Sequence, residues 1–252
     1  MDELTFELID ERSFDDIPAP AQPGARCQTC DYWERLDGGR DGPQADARNA
    51  DALAGGKRQR LLAGRGVSGA YAMLAYRTDA VQRLAIGYAQ FGPLSAYPRA
   101  QSIRDRYPQL PESPAPWVVT CLQVSPEGDD RARVGAGLLE AVCADLDRRG
   151  IIAVEAYPEA ANDEWLPSPG PSSAYEAAGF EHAAGDDRFP VYRRELTGET
   201  DPEAWSGLLR ASKPSDDEDD GWPLPMPPKR DPDDLFRLPT QKPKRPNPFG
   251  EG

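Results

Sequence analysis

Gly135 and Gly137 in RARVGAGLLEAVCADLDRRG (131–150) stand where an apolar run gives way to an amphipathic helix. Residues of this type at such a place can bind an anion. The first turn of a helix carries unpaired N–H groups at the positive end of its dipole, and glycine has no Cβ to hold a phosphate away. Arg133 and Arg131 could add charge-assisted contacts. The pair also suits tight packing of helix on sheet, so the glycines alone leave both roles open. They do not form GxGxxG and their unit does not open the chain, which excludes a dinucleotide fingerprint; no Gly-Lys-Ser/Thr follows, which excludes a P-loop. Cys27 and Cys30 form one Cys-x-x-Cys pair, half of what a structural zinc needs. Cys121 and Cys143 fall in apolar stretches and make no second pair, so no metal is expected and the thiols read as packing groups. The single histidine, His182, reads as a surface residue.

These groups need elements to position them. WVVTCLQV (117–124) is short and almost wholly apolar, as a strand buried on both faces is. The helix after it repeats Leu138, Leu139, Val142, Cys143 and Leu146 at helical spacing and ends at Arg148, Arg149 and Gly150. IIAVEAYP (151–158) is a second buried strand, which a right-handed crossover lays parallel to the first. PSSAYEAAGF predicts a short helix, and residues 189–196 a closing strand. Upstream, ARCQTCDYWE (25–34) reads as a strand, 44–64 as a helix, and 69–77 with 83–94 as an antiparallel pair; 97–116 is loop with one helical turn. The fold class is therefore α+β, an α/β mixed sheet with a central βαβ unit. Residues 1–24 form an irregular arm, 25–196 the domain, and 197–252 a tail. That tail is acidic, rich in proline and without apolar period, so it reads as disordered; it solubilises the chain or serves a protein partner.

The net charge of −14 argues against nucleic acid as a partner and favours cationic ones, unless the acidic surface is simply solvated. No run of about 18 apolar residues is present, so no membrane span is expected. MDELTFELIDERSF lacks a basic-then-apolar leader, which points to the cytoplasm.

VVTCLQVSPE, then RVGAGLLEAVCADLDRRGIIAVEAYP, then SSAYEAAGF resemble the GNAT superfamily of acyl-CoA-dependent N-acyltransferases, over roughly residues 25–196. CQTCDYWE and GYAQFGPLSAYPR resemble an uncharacterised bacterial branch of it. The resemblance implies a GNAT-like fold in which the strand before the glycine turn splays from its neighbour. It implies acetyl-CoA as co-substrate, with pantetheine along Leu122, Gln123 and Val124. The pyrophosphate would lie on Val134, Gly135, Ala136, Gly137 and Leu138, with Arg133 beside it. It makes Tyr175 the general acid. Ala132 departs from the family pattern, which has Arg or Gln there, and the loop holding Asp129 and Asp130 is longer and more acidic. Glu155 is a candidate general base, with a water chain as the alternative. Tyr32, Trp33, Phe91 and Tyr97 are candidates for an acceptor pocket or for core. The implied activity is N-acetylation of a primary amine, on a small molecule or a protein. A non-catalytic acyl-CoA-binding or protein-interaction module is the other reading.

Overall fold

The computed structural model describes residues 3–20, 26–36, 50–63, 71–79, 82–125, 131–158 and 170–198. All belong to one compact unit, Met1–Lys213. Beyond Gly198 the expected tail lies outside the described residues, as do Asp129 and Asp130.

Seven strands form one sheet: β1 (Glu3–Leu8), β2 (Tyr71–Thr78), β3 (Arg83–Pro93), β4 (Trp117–Val124), β5 (Ala153–Ala156), β6 (Glu181–Gly185) and β7 (Pro190–Glu195), in the order β1-β2-β3-β4-β5-β7-β6. Only β4 and β5 run parallel; the other neighbours are antiparallel. The helices are α1 (Ala50–Ala63), α2 (Pro98–Arg104), α3 (Arg131–Arg148) and α4 (Ser172–Ala177). This is the expected mixed α+β sheet, with β4–α3–β5 as its βαβ unit.

Each face of the sheet carries a core. On one, α3 and α4 pack through Leu138, Leu139, Val142, Leu146 and Tyr175 onto Tyr71, Met73, Val119 and Leu122. On the other, Trp33, Leu61, Tyr97 and Ala100 cover Leu74, Tyr88, Val118 and Cys121. Burial from both sides explains why YAMLAYRT and WVVTCLQV lack the polar alternation of half-exposed strands. At the end of α3 the Ile151 amide reaches back to the Leu146 carbonyl (3.0 Å) and the Gly150 amide to Asp147 (2.8 Å), the stop expected from Arg148-Arg149-Gly150.

Two expectations for the N-terminal part are corrected. Residues 1–24 are not all irregular, since β1 pairs with β2 from Glu3↔Thr78 to Leu8↔Met73. ELTFEL alternates: Leu4, Phe6 and Leu8 lie on the α3 core, while Glu7 meets Arg83 at 2.6 Å on the edge. The sheet therefore starts some twenty residues earlier than expected. Of the strand expected at 25–34, the described residues 26–34 form no strand. From Arg26 onward the chain makes successive turns, with the amides of Thr29 and Cys30 returning to the Arg26 carbonyl and that of Glu34 to Asp31. With its amides satisfied locally, this segment needs no strand partner. Its apolar side chains cap the second core, and the buried Lys57 ammonium of α1 donates to the Cys30 carbonyl (2.9 Å).

Candidate active site

The distinctive feature of the sheet is where β4 and β5 part. They pair over Trp117↔Val154, Val118↔Glu155 and Val119↔Ala156. The β3–β4 register steps from Phe91↔Val119 to Gln90↔Cys121, which leaves Thr120 as an extra residue in β4. Such a bulge bends its strand and can end pairing beside it. Beyond Thr120, β4 stays paired with β3 from Cys121 to Val124, and no described strand pairs with its other edge. In an antiparallel ladder about half the backbone amides and carbonyls of such a segment face away from the partner strand. Leu122, Gln123 and Val124 thus present an open strand edge. A ligand with its own amides could dock on this edge as an added strand. The parting implied by the GNAT resemblance is present, and it begins at the bulge at Thr120.

Tyr175 stands behind this edge. Its side chain is fully buried, edge-on to Phe180 (5.3 Å) and stacked with Tyr192 (6.2 Å). The short α4 ends at Gly179, whose positive φ of 73° lets the Phe180 amide return to the Tyr175 carbonyl (3.0 Å). That stop fixes both rings. Burial pushes the Tyr175 phenol well above its ordinary range, and the Cys121 and Cys143 thiols add to the effect. The phenol therefore keeps its proton at neutral pH.

The helix glycines are placed differently from expectation. α3 is described from Arg131, and residues 126–130 before it lie outside the described ones. The amides of Gly135, Ala136, Gly137 and Leu138 come later, where helical N–H groups bond four residues back. Gly137 is a packing glycine: a Cβ there would come within 2.8 Å of the Phe6 ring of β1. Gly135 faces β4 and α4, where a Cβ would meet Ala174, Leu122 and Val124 at 3.7–3.8 Å, ordinary contact distances. Of the expected phosphate cradle, Val134 and the exposed Arg133 keep suitable positions, and Arg131 is tied to the Val124 carbonyl at 3.3 Å. Gly135→Ala is therefore expected to fold normally and to gain up to about 1 kcal/mol from helix propensity. Thermal unfolding of the variant checks this, and a lower midpoint would contradict it.

Glu155 is not available as a base. Its carboxylate is fully buried, and four donor atoms occupy it. Arg193 Nη1 lies 2.6 Å from Oε1 and Arg104 Nη2 3.4 Å; the Tyr157 hydroxyl lies 2.7 Å from Oε2 and Arg104 Nε 3.0 Å. Alternation along β5 turns it toward α2 and β7, away from Tyr175. It ties three elements together, and no lone pair is left to take a proton from an acceptor. Arg104 and Arg193, distant in sequence, carried no local signal of this cluster; Tyr157 lies only two residues along the chain from Glu155.

Among the aromatic candidates, Tyr32 lines a cavity of about 540 Å³, whereas Phe91 and Tyr97 are fully buried in the cores and Trp33 nearly so. The cavity is also lined by Arg99, Arg106, Tyr107, Tyr157, Arg188 and Phe189. Tyr157 directly follows Ala156, the last residue of β5 paired with β4, so the cavity lies at the end of β5 where the strands part. His182 is exposed beside Tyr192. The Cys27 thiol is pushed up to about 11, first by burial and against the pull of Lys57. Alkylation at Cys27 is accordingly expected to stay slow at pH 8 and to quicken about tenfold per pH unit toward 11. Mass-spectrometric labelling across that range reads this, and rapid labelling at neutral pH would contradict it. Among the described residues no group of three or more His, Cys, Asp or Glu is placed to hold a metal, and no helix is long and apolar enough to cross a membrane.

No family model and no curated protein matches the sequence. The structure is similar to a mosquito arylalkylamine N-acetyltransferase like 5b, 12% identical, with 77% of this chain and 100% of that one covered at a TM-score of 0.45. It is similar also to an N-acetyltransferase from Staphylococcus aureus Mu50 (13% identical, 77% and 99% covered, TM-score 0.42). A third is the aminoglycoside 6'-N-acetyltransferase from Enterococcus faecium (12% identical, 78% and 99% covered, TM-score 0.40).

Proposed function

We propose that the chain is an acyl-CoA-dependent N-acyltransferase that moves an acetyl group from acetyl-CoA to a primary amine. The observation that carries this reading is the parting of β4 from β5 at Thr120, with the buried, protonated Tyr175 behind the open edge. Acetyl-CoA supplies the activated acyl group. Among Leu122, Gln123 and Val124, the backbone groups that face away from β3 suit its pantetheine amides, with Arg131 already on the Val124 carbonyl. The first-turn amides up to Val134, with Arg131 and Arg133, suit the pyrophosphate.

In the transfer a new N–C bond replaces the C–S bond. One proton leaves the amine, and Tyr175 gives one to the departing sulfur. The phenol keeps its proton through neutral pH, as a donor must before transfer. Glu155 takes no part in this chemistry, and the acceptor's proton leaves through water.

Isothermal titration with acetyl-CoA tests the reading. Saturable binding is expected, and Arg131→Ala with Arg133→Ala should weaken it about tenfold at low salt, a loss that shrinks as salt rises. Absence of binding would overturn it. The occupied Glu155 favours a second reading, a module that binds acyl-CoA without turnover; saturable binding with no amine acetylated would select it.

A further inference from the structure

The described lining of the cavity at the end of β5 is basic, opposite in sign to the chain. The protein carries −14, yet the cavity is lined by Arg99, Arg106 and Arg188, and no described Asp or Glu lines it. The nearest buried carboxylate, Glu155, lies behind Tyr157 and is matched by Arg104 and Arg193. Asp186, close to Arg188 in the β6–β7 turn, accepts from the backbone amides of Arg188 and Phe189 at 2.9 and 2.8 Å.

Arg99 is held rigidly. Its Nε donates to the Tyr32 carbonyl at 2.8 Å, and its guanidinium lies 3.8 Å from the centre of the Tyr32 ring. Its Nη2 is buried and has no acceptor. A buried donor left unmatched is costly, and an anion at that edge would offset the cost. Arg106 is exposed at the rim and makes no described ion pair, while Arg188 stacks on Phe189 at 4.9 Å. Three guanidinium groups among aromatic rings, in a volume of small-molecule size, suit a planar anion.

We propose that this cavity binds the acceptor through an anionic group, so that the amine substrate also carries a carboxylate or a phosphate. The acceptor role rests on the acyltransferase reading; the anion site does not. The position supports it, because a ligand held by Arg99 and Arg188 lies beside Tyr157, which follows the last residue of β5. A polycationic amine would be repelled here, contrary to what the net charge suggested.

Matched probes test this by titration calorimetry: L-tyrosine against tyramine for the carboxylate, and O-phosphoethanolamine against ethanolamine for the phosphate. At least one anionic probe is expected to bind tenfold or more tighter than its partner, and the arm that does so identifies the anion. Arg106→Ala, on an exposed side chain, and Arg99→Lys, which keeps the charge but loses the fork, should each remove most of that preference and leave tyramine and ethanolamine unchanged. Anionic probes binding no better than their partners, or a preference that survives both substitutions, would overturn the site. Acetylation of the same probes, read as released thiol, separates the two claims. An arginine-dependent preference without transfer keeps the anion site and removes its acceptor role. Transfer to uncharged and cationic amines alone, unaffected by the substitutions, keeps the acyltransferase and removes the anion site.

Discussion

Glu155→Ala is expected to cost about 3–5 kcal/mol of stability, because it strands buried charge. The Arg193 side chain is 8% exposed and that of Arg104 11%, and both aim at a carboxylate with no exposure at all. Removing that carboxylate takes away the acceptor shared by two largely buried guanidinium groups and the Tyr157 hydroxyl. At roughly 2–4 °C per kcal/mol for a domain of this size, the unfolding midpoint should fall by on the order of 10 °C. Glu155→Gln keeps the shape and one acceptor oxygen but not the charge, so it should fall between the two. Glu155→Met combined with Arg193→Met should recover much of the loss, since an apolar pair of similar volume avoids the desolvation penalty. Arg104 keeps a route to solvent and can turn outward. A midpoint shift under about 2 °C for Glu155→Ala would show that the cluster does not hold β5, β7 and α2 together. The same series separates structure from chemistry, because any activity lost by Glu155→Gln should follow stability and show no change in pH profile.

Tyr175→Phe is expected to lower kcat by about 10²- to 10³-fold, within the usual range for one general acid, while acetyl-CoA affinity and the unfolding midpoint stay near those of the unaltered protein. Phenylalanine keeps the edge contact with Phe180 and the stack on Tyr192 and removes the hydroxyl. The pH profile carries a second expectation. An acid works while protonated, and burial raises this phenol well above its ordinary value. The donor form is therefore fully present through neutral pH and is lost only above the raised value. No alkaline fall in kcat should arise from Tyr175 below about pH 10, and the rate should rise with pH as the acceptor amine loses its proton. An alkaline limb near pH 8 that disappears in Tyr175→Phe, or an unchanged kcat in the variant, would remove the assignment.

How far the sequence reveals this structure depends on whether the cause of each feature is local. WVVTCLQV is legible because burial from both faces leaves an unbroken apolar run, and the strand occupies those eight residues. The end of α3 is legible because its stop lies in adjacent residues. ELTFEL carried the alternation of an edge strand in plain view, yet its acidic, proline-punctuated surroundings suggested an arm. ARCQTCDYWE misled in the opposite sense: aromatic and cysteine residues imitate strand composition, but they bury from turns just as well. The site divides in the same way. Tyr175 and the β4 segment follow from contiguous motifs, whereas the bulge at Thr120 depends on the register with β3, and the place of Gly137 depends on Phe6 across the sheet. The Glu155 cluster and the arginine cavity each gather residues from separated segments, which no local pattern records.

Hydrogen–deuterium exchange of the backbone amides of Cys121–Val124, with and without saturating acetyl-CoA, tests the central claim most directly. The account predicts that amides facing the open edge exchange freely in the protein alone and become protected with acetyl-CoA, while those paired with β3 stay protected in both states. Unchanged exchange across Cys121–Val124 at a saturating concentration would contradict it.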